Sequence, residues 1–363
     1  MNRMTHAPAR IDDAVLEDLR ERIARTRLVP LPGGVGWERG TDTDWLADLL
    51  RAWAQDYDWR QHEPRLLDLP WHVTANGTRL VHQRAADDGA VAVVLLHGWP
   101  DSALRFTKVL PLLTDLHVVV PCLPGYPWGR ATELPGTSIS VMADEIADSV
   151  AELGYERYVV SGGDVGSAVA ESLAAAHPDA VAALHLTDVP YPRLIAVDPT
   201  GLSDEERQYL RDRQTWQLQE GAYVQEQRTK PHTLAAGLGD SPAGLAAWIV
   251  EKLRSWSDCG GDVESRWTRD ELLTWLTLYW VTGTIGTSFG SYVERPRPVT
   301  EPVRPPTAFT VFPHDLKPAP RVLAEQFFDV RSWDERSSGG HFGAWEEPEA
   351  FVEGVRAAVR LAR

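Results

Sequence analysis

Apolar and polar positions change rhythm twice along the chain, and each change marks a different kind of structure. Ile11, Val15, Leu16, Leu19, Ile23 and Leu28 recur at near-helical spacing among charges, which predicts a helix over 11–28. Pro30, Pro32, Gly33 and Gly34 then break the chain. Trp45, Leu46, Leu49, Leu50 and Trp53 predict a second amphipathic helix over 43–57. Residues 71–74 and 78–82 flank Asn76-Gly77, a strong hairpin signal. The first 85 or so residues therefore read as helices followed by an antiparallel ribbon.

From residue 90 the pattern becomes strand, loop, helix. Ala90 to Leu96 is a continuous apolar run, as expected for the middle of a parallel sheet, and His117 to Val120 is the next strand. A helix over 140–153, a strand over 157–160, an Ala-rich helix ending near His177 and a strand over 181–186 follow. Residues 190–300 abandon the alternation, with candidate helices over 204–219, 243–253 and 269–281. Strands return at 308–312 and 328–333, and a helix over 348–361 closes the chain. This predicts an α/β fold: a mostly parallel sheet interrupted by a helical lid over a pocket. The expected division is an N-terminal extension over 1–88, a core over 89–189 and 301–363, and a lid over 190–300.

Composition narrows the function more than the fold. A net charge of -16 argues against nucleic acid and anionic membrane as partners. Only Cys122 and Cys259 are present, so neither a disulfide framework nor a thiolate metal site is expected, and no cofactor is. The longest apolar run is too short to span a bilayer, and residues 1–10 lack an apolar signal core, so a cytoplasmic enzyme is expected. The 15 Trp residues are unusually many; several fall in the middle region, where they can line an apolar pocket.

The candidate chemistry centres on Ser161-Gly162-Gly163-Asp164-Val165-Gly166-Ser167, small residues around one reactive side chain at a strand-to-helix turn. That is the layout of the α/β-hydrolase nucleophile elbow, with Asp164 where Ser is usual. A carboxylate nucleophile gives an alkyl ester and suits an sp3 carbon bearing a leaving group, such as an epoxide or an alkyl halide. His97-Gly98-Trp99-Pro100 follows the first core strand, and a backbone N–H there, with that of Val165, can form an oxyanion hole. His341, on a Gly-rich loop after the last strand, is the candidate general base. Asp315 and Asp188 both suit the acid that orients it, and chain order fits either. Opening an epoxide also needs a proton donor at the ring oxygen, which a phenol supplies; Tyr223 and Tyr292 are candidates, and chemistry alone does not separate them from Tyr209 and Tyr279.

Over nearly its whole length the chain resembles the microsomal-type epoxide hydrolases. The resemblance is carried by the 97–100 and 162–167 motifs, and by the lid segments Thr229-Lys230-Pro231-His232-Thr233, Asp240 to Trp248 and Leu278 to Ile285. Gly339-Gly340-His341-Phe342 and Asp56-Tyr57-Asp58-Trp59-Arg60 add to it. It implies Asp164 as nucleophile, His341 as base, Asp315 rather than Asp188 as the acid, Tyr223 and Tyr292 as the lid pair, and a cis Pro100. The membrane anchor of some relatives is not expected here. The family's Gly-Tyr-Gly-x-Ser loop reads Gly125-Tyr126-Pro127-Trp128-Gly129, so Trp99 and Trp128 are expected substrate contacts. The Trp-rich lid suggests an aromatic or otherwise bulky apolar epoxide, and the implied reaction converts it and water to a vicinal diol, in detoxification or natural-product tailoring, by an enzyme commonly a homodimer. The rivals are a dehalogenase using the same Asp and His, and a ligand-binding relative without catalysis.

Overall fold

The computed structural model describes residues 6–30, 35–134, 136–198 and 200–363. Its frame is an eight-stranded sheet: β1 (Trp71–Val73), β2 (Arg79–Gln83), β3 (Ala92–Leu96), β4 (His117–Pro121), β5 (Tyr158–Gly162), β6 (Val181–Leu186), β7 (Val303–Val311) and β8 (Phe328–Glu335). The spatial order is β1-β2-β4-β3-β5-β6-β7-β8. β1 pairs with β2 and β2 with β4 antiparallel, while every pair from β4 to β8 is parallel. The unbroken apolar runs of β3, β4 and β5 are buried on both faces, as central parallel strands must be. Helices Ile139–Glu152 and Val165–Ala176 and, packed on β6 and β7, helix Pro348–Leu361 cover them.

The N-terminal ribbon forms as expected. Gly77 takes φ +85° in its turn, and the Asn76 side chain accepts from the Thr78 N–H. The first helix is shorter than its pattern, Asp13–Ala24, and the second is Thr43–Gln55. Pro32, Gly33 and Gly34, read as a break, lie outside the described residues. An unforeseen helix, Trp59–Leu67, carries Pro64 and mostly polar residues, which hide its period; Asp58 caps it through the Arg60 N–H.

Between β6 and β7 the lid is helical: Asp204–Glu220, Ala222–Thr229, Pro231–Asp240, Pro242–Trp256 and Arg269–Thr282 are its main elements. The N-terminal segment grips the last of these. Trp53 Nε1 donates to Thr277 Oγ1 at 2.9 Å, and the Tyr57 and Thr274 hydroxyls lie 3.0 Å apart. That helix in turn clasps the loop after β3, where Trp275 Nε1 donates to the Pro100 carbonyl and the Tyr279 hydroxyl to the Asp101 carbonyl, each at 2.7 Å. Among the described residues no helix is long and apolar enough to cross a membrane.

Candidate active site

Residues 97–100, 164, 315 and 341 all follow the carboxyl ends of parallel strands, or the loops just beyond, the face where open α/β sheets gather ligands. Asp164 is the hinge between β5 and helix Val165–Ala176, at φ +56° and ψ −128°. A non-glycine residue there is strained, and its neighbours make the turn feasible. A Cβ on Gly162 would stand 2.3 Å from the Gly166 carbonyl oxygen, and one on Gly166 2.3 Å from the Leu96 oxygen. The strain presents the Asp164 carboxylate at the top of the sheet.

Its two oxygens have separate surroundings. Oδ1 accepts the Trp99 N–H at 2.8 Å, while Oδ2 lies 3.6 Å from His341 Nε2. Trp99–Pro100 is the cis peptide bond, as the resemblance implied. Val165 begins its helix, so its N–H has no acceptor within the helix and stands beside Asp164.

The two candidate acids separate cleanly. Asp315 Oδ1 lies 2.7 Å from His341 Nδ1, whereas Asp188 Oδ1 accepts the Asp164 N–H at 2.8 Å and Oδ2 the Ser167 hydroxyl at 2.9 Å. Asp188 holds the elbow backbone rather than the imidazole. Burial, reinforced by the charges of Asp315 and Asp164, raises its carboxyl well above the usual carboxylate range. Burial alone would push His341 down, but the Asp315 carboxylate, its hydrogen bond and the charge of Asp164 outweigh it, and the imidazole is raised. His97 is no competing base: burial lowers it to about 3, and its Nε2 accepts the Leu123 N–H.

The rival tyrosines are otherwise engaged, Tyr279 on the Asp101 carbonyl and Tyr209 on the Lys317 carbonyl. Tyr223, from helix Ala222–Thr229, and Tyr292, from the turn Gly290–Val293, meet with ring centroids 6.2 Å apart. Burial, and then the negative charge of Asp164, holds both phenols protonated well above their ordinary range. Asp164, Tyr223, Tyr292, Asp315 and His341 all line one cavity of about 160 Å³.

Two expected substrate contacts lie elsewhere. The Trp99 indole is fully buried behind the tyrosines, stacked on Tyr223 at 5.5 Å and edge-on to Tyr292 at 6.1 Å, so only its backbone reaches the site. Trp128 takes φ +60° and turns toward the N-terminal ribbon, where it packs edge-on against Trp71 and its carbonyl accepts from Arg79. Neither indole lines the cavity.

Other contributors carry no motif. Arg105 and Asp101 form a buried ion pair at 2.6 Å, and a second Arg105 nitrogen donates to the His341 carbonyl, tying the 97–105 loop to the histidine loop. Lys252 places its ammonium 5.0 Å from the Tyr223 ring centroid, on the side of Trp256. The i, i+4 spacing of Asp101 and Arg105 hints at their pairing; nothing local points to Lys252.

Sheet order, elbow and lid define an α/β hydrolase with an aspartate at the nucleophile position, and comparison with known proteins agrees. Residues 4–106 match the family described as epoxide hydrolase N terminus, and residues 91–247 match the alpha/beta hydrolase fold. The chain is 31% identical to the juvenile hormone epoxide hydrolase of Bombyx mori, over 96% of this chain and 84% of that protein. It is 29% identical to epoxide hydrolase 1 of Sus scrofa, over 95% and 86%. The crystal structure of the Bombyx mori enzyme superposes with a TM-score of 0.87 at 28% identity, covering 98% of this chain and 93% of that one. The Aspergillus niger epoxide hydrolase gives 0.85 at 26%, covering 98% and 95%. The chain belongs to the microsomal-type epoxide hydrolase family and is an enzyme of that activity.

Proposed function

We propose that the enzyme opens an aryl epoxide through a covalent ester on Asp164, and that the cavity of about 160 Å³ favours a compact one over the bulky epoxide expected from the sequence. What carries this reading is one juxtaposition: a carboxylate with a backbone donor on one oxygen, an imidazole near the other, and two buried phenols on the same cavity. Tyr223 and Tyr292 donate hydrogen bonds to the epoxide oxygen. Asp164 attacks a ring carbon, a new C–O ester bond forms as the ring C–O bond breaks, and a phenol proton passes to the leaving oxygen. His341, oriented by Asp315, then takes a proton from water as the water oxygen adds to the Asp164 carboxyl carbon. The Trp99 and Val165 N–H groups face the developing oxyanion, each worth about 3 kcal/mol in comparable sites. Collapse of the tetrahedral intermediate breaks the ester, proton return from His341 releases a vicinal diol, and the proton left on the Asp164 carboxyl passes back to the tyrosinate, restoring both groups.

A cavity of about 160 Å³ is the size class of an engineered apolar cavity of about 150 Å³ that takes up benzene. Ile139, Val165, Ala168 and Leu194 give it apolar walls. Halide chemistry is disfavoured because two buried phenols, which can give a proton to a ring oxygen, face the cavity beside Asp164, while the Trp99 indole lies behind them and, among the described residues, only Trp216 brings an indole to the wall. The test is the intact mass of His341→Gln after exposure to styrene oxide. A gain of one whole epoxide, mapped to Asp164, is expected; normal diol turnover by Asp164→Ala would refute the scheme.

A further inference from the structure

The inner face of lid helix Asp204–Glu220 sets two polar side chains, Arg213 and Gln217, beside Trp216 on the cavity wall, where a lid over a purely apolar substrate should be apolar. Only Glu206 and Arg213 are buried in its 17 residues, and Arg213 lines the same cavity as Asp164. Arg213 is 8% exposed, and its Nε is a buried donor without a hydrogen-bond partner. One turn on, Gln217 lines the cavity too, and its Nε2 is likewise buried and unpartnered. Burying an arginine without a counter-charge is costly, so such residues are almost always paired. Among the described residues no carboxylate comes within 4.0 Å of this one.

Its surroundings do not supply what is missing. The Tyr191 ring lies 4.5 Å from the guanidinium carbon and covers its face, but a ring face does not accept the in-plane N–H groups. The nearby Tyr209 hydroxyl donates to the Lys317 carbonyl and its oxygen can accept from the guanidinium, but it brings no counter-charge and leaves Nε unpartnered. Of the acids on this cavity, Asp188 is committed to the Asp164 N–H and Ser167, and Asp315 Oδ1 to His341 and the Leu316 N–H; Asp315 Oδ2 is buried and unpartnered, but it forms no ion pair with Arg213. A planar fork of donors, flanked by an amide donor at i+4, matches the two coplanar oxygens of a carboxylate.

We infer that Arg213, with Gln217, is a recognition site for a carboxylate carried by the epoxide substrate, at the opposite end of the molecule from the ring that Asp164 opens. This rests on the epoxide reading above and narrows it from aryl epoxides to acidic ones. Lys317 also lines the cavity and adds positive charge on its exposed side.

The experiment compares kcat/KM for 4-(oxiran-2-yl)benzoate with that for its primary amide, in the wild type and in Arg213→Met and Arg213→Lys. The wild type should favour the carboxylate about tenfold or more, the equivalent of one charge-assisted contact. Arg213→Met should bring the ratio to about one, and Arg213→Lys, which keeps charge but loses the fork, should fall between. Equal rates for acid and amide in the wild type would overturn the proposal. So would an Arg213→Met effect that lowers both alike, which is what a long-range counter-ion to Asp315 would produce. If the wild type opens neither probe nor styrene oxide, and His341→Gln gains no mass, the epoxide scheme itself has failed. That outcome is distinct from turnover without acid preference.

Discussion

His341 stands between two carboxylates at unequal distances: Nδ1 is 2.7 Å from Asp315, Nε2 is 3.6 Å from Asp164. The short contact fixes the ring. The longer one leaves Nε2 without a hydrogen-bond partner, facing the oxygen that the proposed ester would consume. In the proposed scheme, alkylation of Asp164 would remove a negative charge that helps to raise His341. The imidazole would then be easier to hold neutral once an ester existed for it to hydrolyse.

A pH experiment follows, with its sign fixed by this contact. In the resting enzyme His341 should titrate above the ordinary histidine value of about 6.5. The acid limb of single-turnover ester hydrolysis should lie at lower pH, because Asp164 is then neutral. Carbon-13 NMR of labelled histidine and rapid-quench hydrolysis give the two values; coincidence of the two would contradict the charge coupling.

Asp315→Asn should leave ester formation nearly intact and slow its hydrolysis by about 10³- to 10⁴-fold, as in triads that lose the orienting acid. The ester should accumulate on mixing and be visible by intact mass. A comparable loss in the first step would mean that Asp315 acts on Asp164 rather than on His341.

Tyr223→Phe and Tyr292→Phe should each slow alkylation by about 10- to 100-fold, and the double variant by 10² or more, the range for a positioned acid. Both phenols are held protonated far into the alkaline range, so wild-type alkylation should show no tyrosine limb up to about pH 10. Pre-steady-state burst rates across pH check both statements.

Asp188→Asn can still accept the Asp164 N–H while removing a buried charge. A raised carboxyl contributes stability while protonated and loses it as pH rises through its folded value. The variant should therefore gain on the order of 1 kcal/mol over the wild type near pH 7, and the advantage should vanish near pH 3. Urea unfolding at the two pH values decides.

Arg105→Met leaves Asp101 buried and uncompensated and releases the His341 carbonyl. It should cost about 3–5 kcal/mol by chemical denaturation. An unchanged midpoint would show that the pair contributes no net stability.

What was legible beforehand depended on range. The elbow, the hairpin and the strand rhythm are written in neighbouring residues, where glycine placement and apolar period act directly. The choice of Asp315 over Asp188 was not legible in the residues themselves: chain order admitted both, only the family resemblance favoured Asp315, and the 2.7 Å contact to His341 is what separates them physically. Trp128 misled because aromatic bulk in a loop says nothing of direction, and its positive φ turns it away. The grip of Arg105 on His341 spans 236 positions, and the unpartnered Nε of Arg213 exists only once the lid is folded.

The grip of the N-terminal segment on helix Arg269–Thr282, and of that helix on Pro100 and Asp101, bears on the order of assembly. Trp53 is made early in synthesis but meets Thr277 across 224 positions, and Pro100 waits 175 positions for Trp275. Chains dominated by contacts of such separation fold more slowly than those built on local ones. In a chain made from its N-terminus, the clasp on the loop that carries the Trp99 N–H therefore cannot close until residue 279 has been made, whereas β3, β4, β5 and β6 are all complete by residue 186.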